Sequence, residues 1–117
     1  MQIKKTYREV NPELLYSEVK DFTVKQGAVV ASAKIETYSM PEDSSSFTSH
    51  GTLTFSMPDA SGKAGKECLS AHIVGSARGE TKLLLDIDEK LFAQQNVNAL
   101  EADLDFILGS YEVKPGH

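Results

Sequence analysis

Three side chains stand out as able to do chemistry together: His50, Cys68 and His72. Imidazole and thiol hold transition metals and build nucleophilic dyads, so their spacing is the first quantity to weigh. Cys68 and His72 lie four residues apart, about 13 Å along an extended strand. They cannot grip one ion from a single strand, because zinc needs three or four ligands at about 2.0–2.3 Å. His50, on a neighbouring strand, could approach one of them. The remaining histidine, His117, is the last residue of the sequence. A cysteine–histidine nucleophile would also need an orienting group and an oxyanion hole, and no residue pattern marks either. The reading therefore favours binding over catalysis, with an enzyme built on His50, Cys68 and His72 as the weakest alternative. No catalytic residue, metal or cofactor is assigned.

Other groups have plainer explanations. Gly65-Lys66 invites comparison with a phosphate loop, but that pattern requires glycine where Ala60 stands and Ser or Thr where Glu67 stands. The stretch reads as a solvated hairpin loop. Asp86, Asp88 and Glu89 precede a helical pattern, where carboxylates complement the helix dipole. Glu101, Asp103 and Asp105 fall mostly off the apolar stripe and read as solvated. Tyr7, Tyr16, Tyr38 and Tyr111 suit the edges of a core, where a ring packs and its hydroxyl reaches water.

The whole chain bounds its partners. Its 117 residues carry 12 Lys and Arg against 17 Asp and Glu, a formal charge of −5. Nucleic-acid binders neutralise phosphates with a basic surface, so the sign is wrong for that partner and for an anionic membrane. The one cysteine excludes an internal disulfide framework and fits a reducing compartment. The first ten residues are charged and lack the apolar segment of a secretory signal. Apolar runs such as Leu83-Leu84-Leu85 fall far short of the ~20 residues of a membrane span. A cytoplasmic location is the expectation. The length suits a single domain, taken as residues 1–109, with 110–117 as a loose tail.

The elements that must position these residues follow from periodicity. Residues 3–10 read as a short edge strand, with Ile3, Lys5 and Tyr7 on one side. Asn11-Pro12 is a helix start, since an asparagine oxygen can accept a free backbone N–H and proline at the first helical position loses nothing. Leu15, Val19 and Phe22 give a helix over 12–26, closed by Gly27. From Ala28 the period changes to two. Strands are expected over 28–40, 47–57, 67–74 and 81–87, the last two joined by a hairpin around Gly75 and Gly79. Val97, Leu100, Leu104, Ile107 and Leu108 then form an amphipathic helical stripe ending at Gly109. Asp86 or Asp88 could cap its first turn. Asn96 could cap a separate helix, which leaves one bent helix or two short ones open.

The order β-α-β-β-β-β-α with short connections predicts a two-layer α+β sandwich. An antiparallel sheet of four to five strands carries both helices on one face. This order loosely resembles the helix-grip (START-like) superfamily, in which a curved antiparallel sheet wraps a long C-terminal helix around an apolar ligand. The resemblance covers the order of elements alone. It implies a small apolar-ligand carrier with a pocket between sheet and helices. Small residues at Ala31, Ala33, Ser49 and Gly51 would leave volume there.

The other face of the sheet is the most informative feature. It is expected to carry Ser32, Thr48, His50, Thr52, Thr54, Ser56, Cys68, Ser70 and His72. These are small and uncharged, where a freely solvated sheet face carries more Lys and Glu. Thr also favours strands for its own sake. Ser32, His50, Thr52, Thr54, Cys68, Ser70 and His72 are the ligand or interface candidates. The resulting expectation is a small binding or interaction module, homodimeric through this face.

Overall fold

The computed structural model of the chain describes residues 1–40, 43–76 and 79–113, with backbone alone at 40, 43–47 and 64. Pro41 and Glu42 of an expected polar loop, Ala77 and Arg78 of the expected hairpin, and the end of the expected tail lie outside the described residues. The elements are β1 (Gln2–Arg8), α1 (Pro12–Lys25), β2 (Val29–Met40), β3 (Asp43–Pro58), β4 (Ala64–Gly75), β5 (Glu80–Ile87) and α2 (Gln94–Leu108), followed by a 3-10 turn, Gly109–Tyr111. The five strands form one antiparallel sheet in the order β1-β5-β4-β3-β2. The fold is the expected two-layer α+β sandwich.

Local chemistry sets the helix ends. Asn11 Oδ1 accepts the Glu13 N–H at 2.8 Å, and Pro12 opens the first turn. Gly27, at φ 97°, closes α1 in the left-handed region that a side chain disfavours. Glu9 also has positive φ, 64°, where the chain leaves β1 for the helix cap. The helix α2 begins at Gln94, after the turn at Asp88 expected as its first. Asp88 makes a separate turn, accepting Lys90 N–H at its carboxylate and Leu91 and Phe92 N–H at its carbonyl. The chain then restarts at Gln94 with Ala93 as the cap, so Asn96 lies inside the helix rather than capping it.

The helix-facing side of the sheet is apolar at every second residue. Leu53 and Phe55 of β3, Leu69, Ala71 and Ile73 of β4, and Leu83, Leu85 and Ile87 of β5 are buried there. α1 contributes Leu15 and Val19, and α2 contributes Val97, Leu100, Leu104 and Leu108. Ile107, placed on that stripe by its spacing, is instead exposed, as is its neighbour Phe106. α1 packs over β3 and β4 and against α2. β2 extends past this cover, leaving Ala31, Ala33, Ile35 and Thr37 exposed.

Two departures from strict alternation matter. β3 pairs Phe55 with Leu69 and Ser56 with Glu67, so β4 carries one extra residue, Cys68. Such a bulge lets two successive side chains leave the pleat in similar directions. Cys68 is therefore buried beside Leu69, 1% exposed, rather than on the outer face with Ser70. Ser56 is likewise buried. The second departure is at the end of the chain. Residues 110–113, expected as part of a loose tail, return to β1: Val113 N–H donates to Thr6 O at 2.7 Å and Glu112 bridges Tyr7.

That return completes a charged cluster on the helix side of β1. Lys5, only 10% exposed at its side chain, lies 3.4 Å from Glu112, 3.6 Å from Asp105 and 3.9 Å from Glu101. Tyr7 is fully buried beside this cluster, and its hydroxyl has no hydrogen-bond partner. Burial, then Glu112, Asp105 and Glu101, push its pKa well above the usual 10. The folded state keeps Tyr7 neutral, so this contribution is complete below pH 10 and is lost as the unfolded tyrosine ionises above it. Tyr7→Phe is expected to leave neutral-pH stability unchanged or raise it by about 1 kcal/mol, since it removes an unpaired buried hydroxyl. It should also flatten the loss of stability above pH 10, both read from urea midpoints across the pH range.

Candidate functional site

Both helices lie on one face of the sheet, and no helix among the described residues covers the other. Strand register arranges that outer face in three rows across all five strands. One row is Ser32, Thr54, Ser70, Asp86 and Gln2; the next is Lys34, Thr52, His72, Leu84 and Lys4; the third is Glu36, His50, Val74, Lys82 and Thr6. Six of the seven expected residues, Ser32, His50, Thr52, Thr54, Ser70 and His72, therefore share this face. Cys68 does not. His50 sits directly across from Val74 and His72 across from Thr52, so the two imidazoles are diagonal neighbours. Cβ atoms in that relation lie about 7 Å apart.

The rows have a consistent distribution of charge. Their centre, on β3 and β4, carries Thr52, Thr54, His50, Ser70, His72 and Val74. Formal charge sits to either side: Lys34 and Glu36 on β2, and Lys4, Lys82 and Asp86 on β1 and β5. The Ser32 and Thr54 hydroxyls hydrogen-bond to each other across the strands, and Lys34 forms an ion pair with Glu36. Contact surfaces between proteins show the same zoning, with charge depleted at the centre and retained at the rim.

The arrangement gives little support to catalysis. Burial pushes the Cys68 thiol above its ordinary value, with Glu67 and Asp88 adding to the effect against a smaller opposing backbone hydrogen bond. The thiolate is the reactive form, so this site disfavours a nucleophile. Among the described residues, no group of three or more His, Cys, Asp or Glu is placed to hold a metal ion. An open groove of about 250 Å³ lies at the bulged end of β4 and β5, lined by Glu67, Cys68, Leu69, Ser70, Asp86, Ile87 and Asp88. Neither His50 nor His72 lines it.

The small residues expected to leave volume beneath the helices are placed otherwise. A Cβ on Gly51 would lie 2.7 Å from Tyr16 Cδ2, so the Tyr16 ring occupies the space over that glycine. The Ser49 hydroxyl pairs with that of Thr37 at 3.0 Å. Ala31 and Ala33 lie on β2 beyond the helices. Sequence spacing also missed the Lys5 cluster. Its signal was present, since Lys5 falls on the same side of β1 as Ile3 and Tyr7, but the return of Glu112 has no local signature.

The fold is a one-sided α+β sandwich whose outer sheet face carries Thr, Ser and His at its centre and formal charge at its sides. No family model, curated protein or solved structure matches the chain.

Two outcomes are expected. Gly51→Ala should displace the Tyr16 ring and cost about 1–3 kcal/mol, the usual range for overpacking, seen as a lower urea midpoint with a changed near-UV tyrosine spectrum. Cys68 in the native protein should react with an aromatic disulfide reagent at pH 8 many times more slowly than in denaturant; equal rates would contradict its burial.

Proposed function

We propose that the protein is a non-enzymatic interaction module, acting as a homodimer in which the uncovered sheet faces of two copies meet. The observation that carries this reading is the zoning of the face. Uncharged Thr52, Thr54, His50, Ser70 and His72 occupy its middle, and Lys4, Lys34, Lys82, Glu36 and Asp86 occupy its margins. Removing threonine, serine and imidazole side chains from water costs less than removing ammonium or carboxylate groups, so the middle can be covered by a like surface. A second copy supplies such a surface. The margins then stay solvated and restrict the relative orientation of the two copies.

The pushed-up Cys68 thiol, buried away from both imidazoles, supports binding rather than nucleophilic chemistry. The outward midpoints of β3 and β4, exposed at His50 and His72 and half-buried at Thr52, are also the places where substitution should spare the fold. Sedimentation velocity at micromolar concentration is expected to give a dimer or a multiple of it. The paired change Thr52→Lys and His72→Lys should weaken face-to-face association at least about tenfold, because it buries like charges against each other. Lys82→Ala at the margin should change it little. A strict monomer, or association indifferent to the central lysines, would overturn the reading.

A further inference from the structure

The two edges of the sheet are finished differently. The β1 edge is occupied by the returning chain, through Val113 N–H to Thr6 O and the bridge between Glu112 and Tyr7. The β2 edge, 12 residues long, pairs with no segment among the described residues. A long open edge is a template for another strand unless charge, proline or a bulge blocks it. Proline is absent from β2, and its one lysine is already paired with Glu36.

Three features select a second copy of this chain as the occupant. β2 is irregular between Val30 and Ser32 and between Ser39 and Met40, but its register is unbroken from Ser32 to Ser39. A two-fold axis perpendicular to the sheet makes the paired strands antiparallel and keeps each side chain on its own face. Residues that pair must then share a face, so the axis passes through a residue and not between two. Placed at Ile35, it sets Lys34 opposite Glu36 of the second copy and Glu36 opposite its Lys34. Each lysine then has a carboxylate beside it on its own strand and another across the junction. Moving the axis by one residue sets Lys34 against Lys34, or Glu36 against Glu36. On the helix side, the same axis lays exposed Ile35 against its own copy, flanked by Ala33 and Thr37.

We propose that β2 pairs antiparallel with β2 of a second copy about a two-fold axis at Ile35, joining the two sheets into one. This contact goes beyond the face-to-face reading and shares with it only the marginal Lys34 and Glu36, not the central residues, so either can stand without the other. The charge pairs set register, and the main-chain hydrogen bonds supply the association.

The test uses the whole chain with T52K and H72K already present, so that face stacking does not mask the edge. Sedimentation should show a dimer in this background. Adding K34E or E36K alone places four like charges at the junction and should weaken dimerisation at least about tenfold, a shift of 1.4 kcal/mol or more. The double reversal, K34E with E36K, restores the pairing and should restore the dimer. An equimolar mixture of the two single variants should form a mixed dimer more readily than either forms alone. I35C in a C68S background should crosslink under mild oxidation, while L14C on the exposed side of α1 should not. A monomer in the starting background, or a dimer indifferent to both single reversals, would overturn the edge contact. If the unmodified protein is a dimer that only T52K and H72K disrupt, the edge contact falls and the face reading stands.

Discussion

The period-two apolar stripe of β3, β4 and β5 is the constraint on which the rest of this molecule depends. Leu53, Phe55, Leu69, Ile73, Leu83, Leu85 and Ile87 all point to one side of the sheet and are buried there. Full burial of such a side chain contributes about 1.5–3 kcal/mol, so the stripe decides where the helices must lie. A register slip of one residue would turn the set toward water, which makes that register costly to lose. With both helices committed to one side, no helix among the described residues covers the other. Its chemistry therefore follows from what the core leaves behind, and the face becomes available for binding by default.

Much of this arrangement was legible because it rests on short-range patterns. Asn11 and Gly27 bracket α1 through capping chemistry that needs only a few residues to declare itself. Alternation from Val29 to Ile87 separates the helix side from the outer side, and it places His50, Thr52, Thr54, Ser70 and His72 on one surface. The misreadings have a common origin in events that periodicity does not record. One inserted residue at the bulge turns Cys68 inward while its neighbours keep the pattern. Asp43 to Ser46 look like loop by composition but belong to β3, in which Asp43 pairs with Met40 across a register shift. The Tyr16 ring over Gly51 and the return of residues 112 and 113 to β1 are contacts between distant segments, invisible to any local window.

Electrostatics divides the sheet into regions with different roles. On the helix side, a nearly buried Lys5 holds three carboxylates around the closed edge and leaves Tyr7 in a medium that disfavours its ionised form. On the outer side, charge is displaced to β1, β5 and β2, and the centre is neutral. At the bulge, Glu67, Asp86 and Asp88 gather near a thiol that burial keeps protonated. The same composition thus yields an inert cysteine, a fastened edge and an uncharged surface, each from its position relative to the stripe.

The pairing of β1 with β5 has a consequence in time. Arg8 meets Glu80 and Gln2 meets Asp86, so residues more than seventy positions apart must find each other before the first strand has a neighbour. Closing so large a loop is entropically slow compared with zipping the β2–β3–β4–β5 meander, whose partners follow one another along the chain. During synthesis, the opening segment would emerge from the ribosome long before its partner and wait without a ladder. The meander is thus the natural nucleus, and docking of the first strand a late event in the assembly of the fold.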